Sequence, residues 1–70
     1  MNNQELRVAM AKAGTTNRDL AKELGLSDQA FYNKINGITE FKNSEIIRLA
    51  HALSLSMDAV NSIFFDGMVN

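Results

Sequence analysis

The sequence has no cysteine, no proline and no tryptophan, and its charges nearly cancel: seven Lys and Arg against eight Asp and Glu leave a formal net charge of −1 over 70 residues. Without cysteine there is no disulfide framework and no thiolate zinc site, which argues against a secreted scaffold or a zinc finger and fits a reducing compartment. No apolar run approaches the roughly 18 to 20 residues that a membrane span requires. The opening Met1-Asn2-Asn3-Gln4-Glu5 has neither the basic start nor the apolar stretch of a secretory signal. The expectation is therefore a soluble, unprocessed, cytoplasmic protein formed by a single domain over residues 1–70, with no membrane association. A domain of this size buries only about 60% of its unfolded surface, and its core rarely supplies more than about 3 to 5 kcal/mol, so a deep enclosed active site is not expected. The basic excess that usually announces a nucleic-acid partner is also missing.

What is present is helical patterning. No linker, repeat or low-complexity segment divides the chain, and its four glycines, at 14, 25, 37 and 67, each follow an apolar-periodic run. Glycine accepts the left-handed conformation just past a helix end, so this spacing divides the chain into short helices joined by tight turns. A first helix is expected from about Asn3 to Ala13, with Leu6, Ala9, Met10 and Ala13 on one stripe. A second is expected from about Asn17 to Leu24, burying Leu20, Ala21 and Leu24. Thr16 is its N-cap, and Asp19 three residues on makes an imperfect capping box, because the box prefers the longer Glu or Gln. Ser27 caps a third helix running to about Ile35, with Leu26 stapled to Phe31 and Asn36-Gly37 closing it. After a loop from Ile38 to about Lys42, Asn43 or Ser44 caps a fourth helix with the stripe Ile46, Leu49, Ala50 and Leu53. A fifth begins at Ser56, has a Leu55 to Val60 staple and carries Ile63 and Phe64 inward, and a short frayed tail follows from about 66. No segment alternates with the period of a strand, so the class is all-α.

The two short helices at about 17–24 and 28–35, separated by Gly25-Leu26-Ser27, have helix-turn-helix spacing. The motif needs Gly in its sharp turn, a small residue where the helices cross and large apolar residues one turn apart, and Gly25, Ala21, and Phe31 with Ile35 take those places. The run Leu20-Ala21-Lys22-Glu23-Leu24-Gly25-Leu26-Ser27, then Phe31, Asn36-Gly37, Glu45-Ile46 and Ala52-Leu53-Ser54-Leu55-Ser56, resembles the Cro/C1-type (XRE-like) helix-turn-helix domain of phage repressors and related bacterial regulators. The resemblance covers nearly the whole chain. In Lys34-Ile35-Asn36-Gly37 and Ile63-Phe64-Phe65 it extends to small Cro-like regulators of phages and prophages. It implies a five-helix, lambda-repressor-like DNA-binding domain with a central helix-turn-helix at about 17–36, acting as a homodimer on a double-stranded operator in a bacterial or phage-infected cell. The chain would be this domain alone, with no further oligomerisation or cleavage domain.

Helical geometry proposes which side chains face DNA. With Phe31 and Ile35 placed inward, Asn33 points almost directly away from the core, flanked by Gln29, Asn36 and Tyr32. Gln and Asn can bond adenine bidentately in the major groove, and Tyr can pack on a thymine methyl or bond a phosphate. Asp28 is an acceptor suited to a cytosine amino group, although nearby phosphates repel it. The resembled family often carries Gln at or beside this position, so Asp28 is a departure. The base-reading candidates are thus Asp28, Gln29, Tyr32 and Asn33. Asn17 matches a position where the family commonly bonds a phosphate at a helix N-terminus, and Lys42, Asn43 and Ser44 match a second such clamp. Arg18 and Asn36 complete the candidate phosphate contacts.

Charge limits this reading. Over residues 14–44, Arg18, Lys22, Lys34 and Lys42 are balanced by Asp19, Glu23, Asp28 and Glu40. Phosphate neutralisation dominates affinity, so a monomer should bind weakly and a dimer, by doubling the contacts, more tightly. Phe64 and Phe65 are adjacent and cannot both point at one core, Ile47 lies off the main stripe of the fourth helix, and Met68 and Val69 follow. Ile47, His51, Phe65, Met68 and Val69 are therefore candidates for a dimer or partner interface. His51 has no second His, Cys or nucleophile around it. With no Gly-rich phosphate loop, metal-spaced cluster or nucleophile elbow, neither catalysis nor a metal or other cofactor is expected. Acidic balance, Asp28 and the spare apolar C-terminus also allow an alternative: an antirepressor or modulator that uses the same scaffold to bind another phage regulator protein.

Overall fold

A computed structural model describes residues 1–66 of the chain. They form five helices, α1 (Asn3–Ala13), α2 (Asn17–Leu24), α3 (Asp28–Ile35), α4 (Asn43–Ala52) and α5 (Met57–Phe64), with no strand among the described residues. The caps explain these bounds. Asn2, Ser27 and Ser56 each accept the backbone N–H three residues on through the side-chain oxygen, so each helix start has one otherwise unsatisfied donor paired. The box at α2 is complete despite its short Asp: Asp19 N–H donates to Thr16 Oγ1 and Thr16 N–H to Asp19 Oδ2, both at 3.2 Å. Gly14 and Gly25 end α1 and α2 in the left-handed region, at φ of 69° and 70°.

Two helix ends differ from the sequence expectation. The N-cap of α4 is Lys42, not Asn43 or Ser44. Glu45 accepts the Lys42 N–H at 2.7 Å, and this bond holds Lys42 extended and lets the helix begin at Asn43. After α4 the left-handed turn falls on Ser54, at φ 52°, where no glycine marks it.

The core follows the expected stripes except at Ala13, which is exposed, and at Ala9, Ile46 and Ala50, which are only partly buried. Leu6, Leu20, Ala21, Phe31, Ile35, Leu49 and Ile63 are buried almost completely, with Met10, Leu24 and Leu53 beside them. Helix α2 is central, packing on both α3 and α4, while α5 packs on α1 and α4. The start of α1 is tied to α5, since Asn2 N–H donates to the Ile63 carbonyl at 2.6 Å and the Ser62 hydroxyl donates to Glu5 at 2.8 Å. The loop before α4 contributes Phe41, which meets Phe31 and Phe64 edge-on with ring centroids 5.9 Å apart in both pairs. Phe64 thus turns inward and Phe65 outward, as two adjacent helical positions must. No helix among the described residues is long and apolar enough to cross a membrane.

Candidate nucleic-acid interface

Helices α2 and α3 are joined by only Gly25-Leu26-Ser27, and their first turns lie side by side. Asn17 and Arg18 from α2, with Asp28, Gln29 and Tyr32 from α3, line one shallow cleft of about 330 Å³. Five of the ten residues proposed for DNA contact therefore share a surface. All five are exposed, Tyr32 at 53%. Every one carries a donor or an acceptor, so the cleft offers two amides, a phenol, a carboxylate and a guanidinium.

The other candidates are placed differently. Asn33 is half-buried and does not point straight out. The 36–40 segment folds back over the end of α3, where Ile38 and Thr39 N–H groups donate to the Asn33 carbonyl at 2.8 and 3.3 Å. Its side chain stays joined to the cleft, because Gln29 Nε2 donates to Asn33 Oδ1 at 2.9 Å. Asn36 is engaged within the fold: its Oδ1 accepts from Arg7 and its Nδ2 donates to the Tyr32 carbonyl at 2.8 Å. Lys42, Asn43 and Ser44 are exposed at the start of α4, outside the cleft.

The electrostatics turn on Lys34 and Glu45, which helical periodicity alone does not mark. Lys34 Nζ lies 2.6 Å from Glu45 Oε1, and the two side chains are only 12% and 10% exposed. Glu45 is the one buried charged residue among those described. Burial by itself would raise its carboxyl, but the Lys34 ammonium and the Lys42 N–H outweigh that and hold it below its usual value. Lys34 is thereby withdrawn from the cations available to a phosphate. Among the described residues, Arg18, Lys22 and Lys42 are exposed and outside any ion pair, against the four acids Asp19, Glu23, Asp28 and Glu40 of the same 14–44 stretch.

On another side of the molecule, α4 and α5 flank an apolar cleft of about 580 Å³ lined by Ile47, His51 and Phe65 together with Asn43, Ile46, Ala50, Leu55, Met57 and Val60. It gathers three of the proposed interface residues, and among the described residues no Asp, Glu, Lys or Arg lines it. Met57, 81% exposed, belongs to it and was not among the sequence candidates. The remaining two, Met68 and Val69, lie outside the described residues. Among the described residues no group of three His, Asp or Glu side chains is placed to hold a metal ion.

A protein-family profile described as "Protein of unknown function (DUF739)" matches residues 5–67, nearly the full chain. The chain belongs to this family. The matched span of this DUF739 protein contains both clefts and the Lys34–Glu45 pair. No curated protein and no solved structure matches the chain.

Proposed function

We propose that this DUF739 protein is a sequence-specific DNA-binding transcriptional regulator of Cro/repressor type, in which α2, the 25–27 turn and α3 act as a helix-turn-helix and α3 enters the operator major groove. The observation that carries the reading is the convergence of Asn17, Arg18, Asp28, Gln29 and Tyr32 on one exposed cleft across the α2–α3 pair. In this pose Gln29 and Asn33 read adenine, Asp28 accepts from a cytosine amino group, and Tyr32 packs on a thymine methyl or a phosphate. Asn17 and Arg18 at the start of α2, with Lys42, Asn43 and Ser44 at the start of α4, hold the backbone on either side. Lys34 is paired, so few cations remain, and a homodimer through the uncharged α4–α5 cleft would double the phosphate contacts. Such a regulator works in the cytoplasm of a bacterial or phage-infected cell and needs no cofactor.

The same charge balance favours a second reading. With Lys34 neutralised by Glu45 and Asp28 in the cleft, the chain would instead be an antirepressor or modulator that binds another phage regulator protein. Gel shifts on upstream DNA at low and moderate salt, with and without a neighbouring repressor, separate the two. A shift by this protein alone supports the DNA-binding reading. Loss of the repressor's shift on addition of this protein, with no shift of its own, supports the second.

A further inference from the structure

Helices α3 and α4 each pack on α2 and make little direct contact with each other. Between them run residues 36–42, of which 37–40 and 42 are exposed. The direct polar link across this gap is Lys34 to Glu45, and the same Oε1 that receives Lys34 Nζ at 2.6 Å also accepts the Lys42 N–H at 2.7 Å. One carboxylate oxygen thus joins the last turn of α3 to the residue that starts α4. Because both side chains are nearly buried, their attraction is screened far less than that of a surface pair. A buried ion pair is a weak source of net stability compared with apolar packing, and its best-attested use is to fix one geometry among several.

We propose that Lys34 and Glu45 are positioning residues for nucleic-acid binding: their pair locks the exposed face of α3 to the 42–44 segment, so that base-reading and phosphate-holding groups meet a duplex as one rigid surface. The inference rests on the DNA-binding reading above. Lys34 stands on the helix assigned to the major groove, where a lysine would ordinarily serve as a phosphate cation. With Glu45 against its ammonium and 12% of its side chain exposed, it does not. Its contribution to affinity is geometric and carries no counterion release of its own.

The test uses the duplex that the wild-type chain selects from a random pool, with affinity measured across a salt series. The double variant Lys34→Met with Glu45→Gln removes both charges of the pair and keeps a carbonyl oxygen that accepts the Lys42 N–H. It should bind roughly three- to thirtyfold more weakly, with the wild-type salt slope and a helical circular-dichroism spectrum. Should that variant fail to fold, Glu45→Gln carries the test, because its remaining carbonyl oxygen still accepts from Lys42 while the charge attraction to Lys34 is gone. It should bind more weakly, with a slope no shallower than wild type. A slope shallower by about 0.9 per protomer in the double variant would make Lys34 a phosphate ligand and overturn the inference. Wild-type affinity in the folded double variant, or tighter binding with a steeper slope in Glu45→Gln, would overturn it as well. Failure of the underlying reading is distinct, since the wild-type chain would then select no duplex at all.

Discussion

Replacing Glu45 with alanine removes the acceptor of two donors at once, the Lys34 ammonium and the Lys42 N–H. The ammonium, only 12% exposed, is then left without its counter-charge. Breaking a buried pair from one side costs about 3 to 5 kcal/mol. The core of a domain this small supplies roughly the same amount, so Glu45→Ala should be largely unfolded at 25 °C. Removing both charges while keeping an acceptor for the Lys42 N–H, by Lys34→Met with Glu45→Gln, should recover most of that loss, because the desolvation cost of the ammonium disappears with the attraction. Urea titration followed by circular dichroism measures all three chains, and a loss below about 1 kcal/mol in Glu45→Ala would mean that the pair behaves like an exposed one. Acid gives an independent check. The folded carboxyl lies below the ordinary value of 4.5, so its stabilisation is fully present above pH 4.5 and is lost as pH falls through the lower folded value. Glu45→Gln lacks this component, and its stability should change less than wild type as pH is lowered below 4.5.

Three further outcomes are expected. Ser54 holds φ 52° without being glycine. Relief of about 1 to 2 kcal/mol of left-handed strain, less the greater unfolded freedom of glycine, should make Ser54→Gly more stable by about 0.5 to 1 kcal/mol, with Tm up by roughly 2 to 8 °C by calorimetry. An unchanged or lower Tm contradicts this. On the selected operator, Gln29→Ala should cost about 1 to 3 kcal/mol at one base pair and relax preference there, whereas Arg18→Ala should weaken all sequences alike and flatten the salt slope by about 1. Binding titrations on a panel of single-base variants distinguish the two patterns, and intact discrimination in Gln29→Ala removes its assigned role. Sedimentation of the pure chain should show concentration-dependent dimers that Ile47→Asp abolishes, since a carboxylate in the uncharged α4–α5 cleft would be desolvated on pairing. A wild-type chain that stays monomeric at all concentrations argues against self-association through that face.

Local signals made most of the fold legible. Ser27, Ser56 and Thr16 cap where their side-chain chemistry predicts, and Gly14 and Gly25 stop helices because they alone of nearby residues enter the left-handed region without strain. Signals that depend on tertiary structure were not legible. Ser54 turns the chain left-handed with no glycine to announce it, and Lys42 displaces Asn43 as the cap of α4 because Glu45, already placed by Lys34, takes its N–H. Phe41 sits in a stretch with no periodicity, and its inward position becomes apparent only once Phe31 and Phe64 are found on either side. For the candidate site, helical projection found the exposed residues Asp28, Gln29 and Tyr32. It overestimated the exposure of Asn33, because a wheel has no loop folding back over its end. Counting charges over residues 14–44 treated Lys34 as free, since Glu45 lies just beyond that window. Net charge in such a small domain is thus a poor guide to the charge that a partner meets.

Selection of bound duplexes from a random-sequence pool, with the purified full chain at low and at moderate salt, tests the proposed function most directly. A DNA-binding regulator of this type enriches one motif, made of two related half-sites about 10 to 10.5 base pairs apart centre to centre and rich in the adenines that Gln29 and Asn33 would read. A folded chain that enriches no sequence at either salt contradicts DNA recognition through α3.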